Sequence, residues 1–417
     1  MPAFDPDLLD QPERLAELDR TGMLRALAGA GAQVRRALTT AADAGIGPTA
    51  AADRPRAVVV AAMGADDLVG DAMATLARAH SPVGVSTVHD LPLPGWVGSL
   101  DLVLAVSLSG RAPGPVRLAL EAGRRGALVV TIGAADSPLA EAASRARGVH
   151  LAIPDRDSFG PLASRTAAWS MLTPALLALA AYGVLPARAE DLDAVADRLD
   201  EVAEAARPSA ESFVSPAKVL ATGLGARVPL VLADGPLTAV AARRAATMLS
   251  RTARIPVMAG ELPHAAASIL SCLDGPYAAA PALDGGRDIF VDPFLDAPPG
   301  PEVSLLVVRD RDPRAGAEIA GGVRAGAAPA DTGAGEISAR EAARLNVAHG
   351  VLDLAVRRGA RVQQLSPGPG PELVRLAEVI ATTDFAATYL ALAHGLDPAT
   401  APSVRDLRDV AGLDTWR

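Results

Sequence analysis

The sequence predicts an α/β protein made of two doubly wound parallel-sheet units, with helical additions at the N- and C-termini. Three observations carry that expectation. Short apolar runs alternate with helical segments along most of the 417 residues. The runs are continuous rather than interleaved with polar residues, as in parallel strands covered on both faces. The βαβα rhythm then occurs twice, once on each side of residue 205, which implies two open sheets in succession. No sequence repeat links the two halves; only the architecture repeats.

Residues 5–45 read as amphipathic helices with apolar positions at Leu15, Leu18, Met23, Leu24, Leu27, Val34 and Leu38. "GIGPTAAADRP" is a loop. "RAVVVAAMG" is a strand stopping at Gly64, and "DDLVGDAMATLARAH" a helix with Asp66 or Asp67 suited to its start. "PVGVSTVHD" and "LDLVLAVSLSG" are strands, "PVRLALEAGRRG" a helix, "ALVVTIGAADS" a strand and turn, "PLAEAASRA" a helix and "VHLAIPD" a strand. In the second half, "VPLVLADG" is a strand and "PLTAVAARRAATMLSRTA" a helix. "IPVMAG", "DIFVDPF", "VSLLVVRD" and "ARVQQLSPG" are further strands, the stretch 311–339 is a loop or weak helix, and "GPELVRLAEVIATTDFAATYLALAHGL" closes as two helices. The expected segments are 1–50 (helical), 51–205 (first sheet unit) and 206–417 (second sheet unit with the closing helices).

Composition narrows the function. The net charge of −9 argues against nucleic acid or an anionic membrane surface as partner. The most apolar stretch, Met171–Ala187, contains an internal Thr-Pro and is shorter than the roughly 20 residues a span requires, so no membrane association is expected. Cys272 is the single cysteine, which excludes a disulfide framework and a cysteine metal site and suits a reducing cytoplasm. The first residues lack an apolar signal core, so export is not expected. His80, His89, His150 and His349 are scattered without metal-ligand spacing. "GLGARV" lacks the third glycine of a dinucleotide turn, and no cofactor is expected. Lys218 is the single lysine and hence the sole candidate for Schiff-base chemistry.

In open parallel sheets, ligands sit beyond the carboxyl ends of the strands. Two turns in the first unit stand there, "AMGADDLVGD" (Ala62–Asp71) and "SLSGRAPGP" (Ser107–Pro115). Hydroxyls and backbone N–H groups at a helix start hold anions, and Gly64 and Gly110 permit close backbone approach. Ordinary strand-to-helix turns also use Ser and Gly, so the turns alone favour the ordinary reading.

These turns resemble those of sugar isomerase (SIS) domains, and more narrowly of the bifunctional phosphoglucose/phosphomannose isomerase family. There the first turn reads like "GMGGSxxGGD" and the second like "SYSGNTEET". The segment starting "VLADGPLTAVAARRAATMLSRTARIPVMAGELPHAAAS" is similar to the start of the family's second SIS domain. "TTDFAATYLALAHGLDPATAPSVRDLR" (Thr382–Arg408) resembles its ending, "DFVSVYLALLNGVDPTPV". The resemblance implies two SIS units, a sugar phosphate ligand, a homodimer, and aldose–ketose isomerisation through an enediol. In that chemistry a base moves a proton between adjacent carbons, a second acid/base opens the ring, and a cation steadies the enediolate.

Carried over position by position, the resemblance assigns the phosphate turn to Ser107, Ser109 and Gly110, with Gly64 in the first turn. The family's threonine falls on Ala112 and its first-turn serine on Asp66, whose carboxylate repels a phosphate; Arg111 can offset that charge. The enediolate cation falls on Arg165. The catalytic glutamate falls on Arg251 and the ring-opening histidine on Ala266 or Ala267. Arginine stays protonated and alanine transfers no proton. Glu261 and His264, in "GELPH", are the neighbours able to substitute, while His394 takes the place of a family asparagine. Two readings stand: a sugar-phosphate-binding protein whose isomerase chemistry is weakened or lost, which the missing side chains favour, or an isomerase with a rearranged set around Arg165, Glu261 and His264.

Overall fold

The computed structural model describes residues 4–46, 54–63, 67–154, 156–278, 301–310 and 346–411. The chain divides into two units. One holds Asp19–Arg207 and the described part of Asp397–Arg417; the other holds Pro208–Leu396 and the described part of Met1–Leu18. The terminal helices are therefore shared out differently from the expected segments 1–50 and 206–417.

The first unit contains one parallel sheet of five strands: β1 (Ala57–Ala61), β2 (Gly84–Val88), β3 (Leu102–Ser107), β4 (Leu128–Ala134) and β5 (Val149–Ile153). Their order is β2-β1-β3-β4-β5, with every pair parallel. Val58, Val59, Val60 and Ala61 are fully buried, as is every residue of β3 bar a trace of Ser107, because helices cover both faces. One face packs on Pro113–Arg124 and Pro138–Arg145 through Leu118, Ala119, Ala122 and Leu139. Leu15 of the N-terminal helices is buried with the other unit; Met23, Leu24, Leu27 and Val34 are buried here.

The second unit contains β6 (Val228–Ala233), β7 (Met258–Glu261), β8 (Val303–Val308) and β9 (Arg361–Leu365), all parallel in the order β7-β6-β8-β9. One face packs on Ala266–Ser271 and a helix that includes residues 346–357, through Ile269, Val351, Leu352 and Ala355. The expected strand "DIFVDPF" and the stretch 311–339 lie outside the described residues.

One expectation is overturned. "ELVRLAEVIATTDFAATYLALA" is a single 22-residue helix, Glu372–Ala393, not two. Nothing in it breaks a helix: it has neither Pro nor Gly, and Thr383 satisfies its hydroxyl by donating to the carbonyls of Val379 (2.9 Å) and Ile380 (3.0 Å). It is long and apolar enough to cross a membrane, and it is buried almost throughout inside its unit. Phe385, Tyr389 and Leu392 are core residues.

Candidate functional site

In the first sheet the chain order reverses between β1 and β3, so the topological switch point lies beyond Ala61 and Ser107. The turn after β3 stands there. Gly110 N donates to Ser107 O at 2.8 Å, closing a tight loop. Gly110 holds φ +64°, and a Cβ at this position would overlap the Ser137 side chain, so both backbone and space demand glycine. Ser107 is buried and Ser109 half-buried. Each bonds the turn that leads into the helix: Ser107 Oγ accepts from Ala112 N and Ser109 Oγ from Arg111 N, both at 3.3 Å. These bonds are long, and the hydroxyl rotors can turn to donate to an incoming anion.

The helix that follows begins Pro113-Gly114-Pro115. Pro113 and Pro115 carry no N–H, so two donors that a helix N-terminus offers an anion are missing. The Arg111 side chain is exposed beside this gap and makes no ion pair among the described residues. Gly64 and Asp66 lie outside the described residues. The structure thus brings Ser107, Ser109, Gly110 and Arg111 into one turn.

The other sequence candidates belong to other elements. Arg165 is 4% exposed, in the short helix Ala163–Thr166 of the first unit. Glu261 and His264 belong to the second unit, at the carboxyl end of β7, where Glu261 pairs in register with Ala233. Glu261 is half-buried and His264 exposed, and Ala265 N donates to Glu261 O at 2.9 Å to form the turn between them. Arg251 lies in a π-helical extension, Leu249–Ala253, and Ala266 opens the helix that follows His264. His394 is buried at the end of the long helix, against the Phe4 ring at 5.4 Å.

Lys218 is removed from any Schiff-base role. It is 0% exposed, and its three N–H bonds go to Leu9 O (2.6 Å), Ala210 O (2.6 Å) and Pro208 O (2.8 Å).

The second sheet has its own switch point, between β6 and β8, and charge fills it. Arg309 Nε is 3.6 Å from Asp234 Oδ2, with Arg309 wholly buried. Asp234 Oδ1 accepts from Thr238 Oγ1 (3.1 Å) and Asp310 N (3.0 Å). Burial raises the Asp234 carboxyl above the ordinary range, against the pull of those hydrogen bonds. Arg375 Nε donates to Asp310 Oδ1 at 3.0 Å. Further in, Arg244 and Asp384 form a buried pair, Nε to Oδ1 at 3.1 Å and Nη2 to Oδ2 at 2.9 Å. Sequence reading missed these partners. A lone Asp in an apolar run ("TTDFAATYLALA") facing a run with arginine ("AARRAA") was the available signal.

The fold defines a class: twin open parallel sheets, with a serine–glycine turn at the first switch point. Comparison makes it specific. Residues 213–410 match the model of the bacterial phospho-glucose isomerase C-terminal SIS domain. A protein from Silicibacter pomeroyi assigned to the phosphosugar isomerases is similar over 90% of this chain and 99% of its own, at 20% identity and TM-score 0.57. The tagatose-6-phosphate ketose/aldose isomerase of Escherichia coli is similar over 93% and 95%, at 14% identity and TM-score 0.55. The C-terminal domain of glucosamine-fructose-6-phosphate aminotransferase from Francisella tularensis is similar over 90% and 97%, at 10% identity and TM-score 0.51. No curated protein matches the sequence. Residues 213–410 are thus similar to an SIS domain of the phosphoglucose isomerases, and the fold of the chain is similar to those of the phosphosugar isomerases.

Proposed function

We propose that this protein binds a sugar phosphate on the Ser107–Arg111 turn and that the isomerase chemistry of its relatives is weakened or lost at the family's catalytic positions. One observation carries the reading: two serine hydroxyls and a left-handed glycine form the turn at the first switch point. The positions equivalent to the catalytic acid/base pair hold Arg251 and Ala266 or Ala267, none of which exchanges a proton near neutral pH. An active aldose–ketose isomerase using a rearranged acid/base set remains the second reading, supported by the half-buried carboxylate of Glu261, which makes no ion pair among the described residues and stands three positions before His264. A cytoplasmic homodimer is part of the proposal, supported by the single cysteine and the family resemblance.

The test is thermal melting with glucose, mannose and fructose 6-phosphates. A ligand that binds the native state alone raises stability as RT ln(1 + [L]/Kd). The wild type is expected to shift and Ser109→Ala to shift far less. Absence of any shift at millimolar ligand in both would sink the binding reading. Interconversion of the three sugars that vanishes with Glu261→Gln would establish the second reading instead.

A further inference from the structure

The carboxyl ends of β1 and β2 hold a carboxylate–imidazole couple that the reading above leaves unused. His89 directly follows β2, and its Nδ1 lies 2.9 Å from the carbonyl oxygen of Ala62, the residue after β1. The same Nδ1 lies 3.4 Å from Asp67 Oδ1. A carbonyl oxygen can accept but not donate, so Nδ1 carries the proton. In the neutral ring Nε2 is then the nitrogen with the lone pair. The side chain is 60% exposed, and Nε2 makes no bond among the described residues. Asp67 Oδ1 is buried and accepts no hydrogen bond among the described residues. Burial raises the Asp67 carboxyl and the nearby imidazole pulls it back down.

The couple adjoins the serine turn. Val88, Ala61 and Ala105 are neighbours in register, so a single strand separates His89 from the strand that ends in the turn. Adjacent strands lie about 4.8 Å apart, so β2 and β3 lie roughly 10 Å apart. The helix Pro113–Arg124 spans that distance. Gly114, in its first turn, lies against the His89 carbonyl oxygen so closely that a Cβ would overlap it. Arg117 Nε donates to Asp90 Oδ1 at 3.0 Å, which fastens the residue after His89 to the same helix.

We propose that His89, held by the Ala62 carbonyl with Asp67 beside it, supplies a weakened form of the proton transfer that the family's own catalytic positions have lost, acting on a sugar phosphate held on the Ser107–Arg111 turn. The proposal rests on that turn binding a sugar phosphate. Nε2 takes the proton from the carbon beside the ligand's carbonyl. The C–H electron pair becomes the double bond of an enediolate as the carbonyl π pair moves onto oxygen. The imidazolium returns the proton to the same carbon and the carbonyl re-forms; when the proton goes to the neighbouring carbon, the enediolate's hydroxyl proton passes to the former carbonyl oxygen as the new carbonyl forms, and nothing is consumed. Asp67 stabilises the ring cation formed in between. A base held in one tautomer by its far nitrogen, with a carboxylate beside it, is the arrangement general-base catalysis uses.

The experiment incubates the full chain with fructose 6-phosphate in D2O. Deuterium at the carbon beside the carbonyl is read by mass spectrometry, and binding is measured by calorimetry on the same samples. The wild type is expected to bind and to incorporate deuterium. His89→Gln is expected to bind with unchanged Kd and to lose incorporation by on the order of 100-fold. Asp67→Asn, which keeps shape and loses charge, is expected to lose less. Binding without incorporation in the wild type, or incorporation at the wild-type rate in His89→Gln, overturns the proposal. A wild type that binds no fructose 6-phosphate overturns the sugar-phosphate reading first, and this proposal with it.

Discussion

At the end of β3 the first sheet presents hydroxyls; at the ends of β6 and β8 the second sheet presents fixed charge. The strand orders β2-β1-β3-β4 and β7-β6-β8-β9 correspond, so both points are places where an open sheet receives a ligand. In the second, Asp234 already occupies the helix start through Thr238, and Arg309, Asp310 and Arg375 complete a set of ion pairs. A resident carboxylate at a helix N-terminus excludes a diffusible anion from the same place. Neutral hydroxyls exclude nothing and can rotate. One topology therefore gives a turn of neutral hydroxyls in one unit and a set of ion pairs in the other.

The largest expected effect tests the buried ion pairs. Arg244→Ala leaves Asp384 buried and unpaired, which costs roughly 3–5 kcal/mol, read from urea unfolding; a loss under 1 kcal/mol, within the range of surface pairs, would show that the second unit does not depend on its buried charge. Next is the first turn itself. Gly110→Ala imposes a left-handed backbone on a residue with a Cβ and overlaps Ser137, which costs about 1–3 kcal/mol in thermal melting. An unchanged melting temperature would mean the turn has another conformation available.

Ser109→Ala tests reception rather than stability. Losing a hydrogen bond to a charged phosphate costs about 1.5–3 kcal/mol, or roughly 10- to 150-fold in Kd, with little change in melting of the free protein. The reverse change sharpens the comparison: Pro115→Ala restores one N–H and is expected to tighten binding several-fold; no gain would place the phosphate away from the helix start.

The smallest effects have opposite signs in the two units. Burial lowers the His150 imidazole below its ordinary value of 6.5 in the first unit. The folded state then binds fewer protons than the unfolded one, so this contribution to stability is present above pH 6.5 and is lost as pH falls below it. Burial raises Asp234 and Asp384 in the second unit above 3.8. Their contribution is largest below pH 3.8 and declines as pH climbs through the raised values. Melting curves of His150→Gln and wild type between pH 5 and 7 should converge at the upper end, within the reach of histidine titration.

The strands were legible because parallel strands buried on both faces leave continuous apolar runs, as in "VLAVS" and "LLVV". The closing helix was misjudged because "TTD" looks like a break; only the packed structure shows Asp384 paired with Arg244 and Thr383 bonded to its own helix. The serine turn was legible from residue type and from its place after an apolar run. The His89–Asp67 couple was not, because its partners meet only when β2 is laid beside β1 out of chain order. The same holds for Arg309 and Asp234, which neighbouring strands bring together.

Lys218 gives the chain an internal clock. Its Nζ is the protein's single side-chain amine, and three carbonyls and the Tyr389 ring, 5.2 Å away, enclose it. An acylating reagent can reach that nitrogen only after the 208–210 segment and Leu9 have let go of it. The rate of side-chain acylation then counts openings of this unit one molecule at a time, with no other lysine to blur the reading.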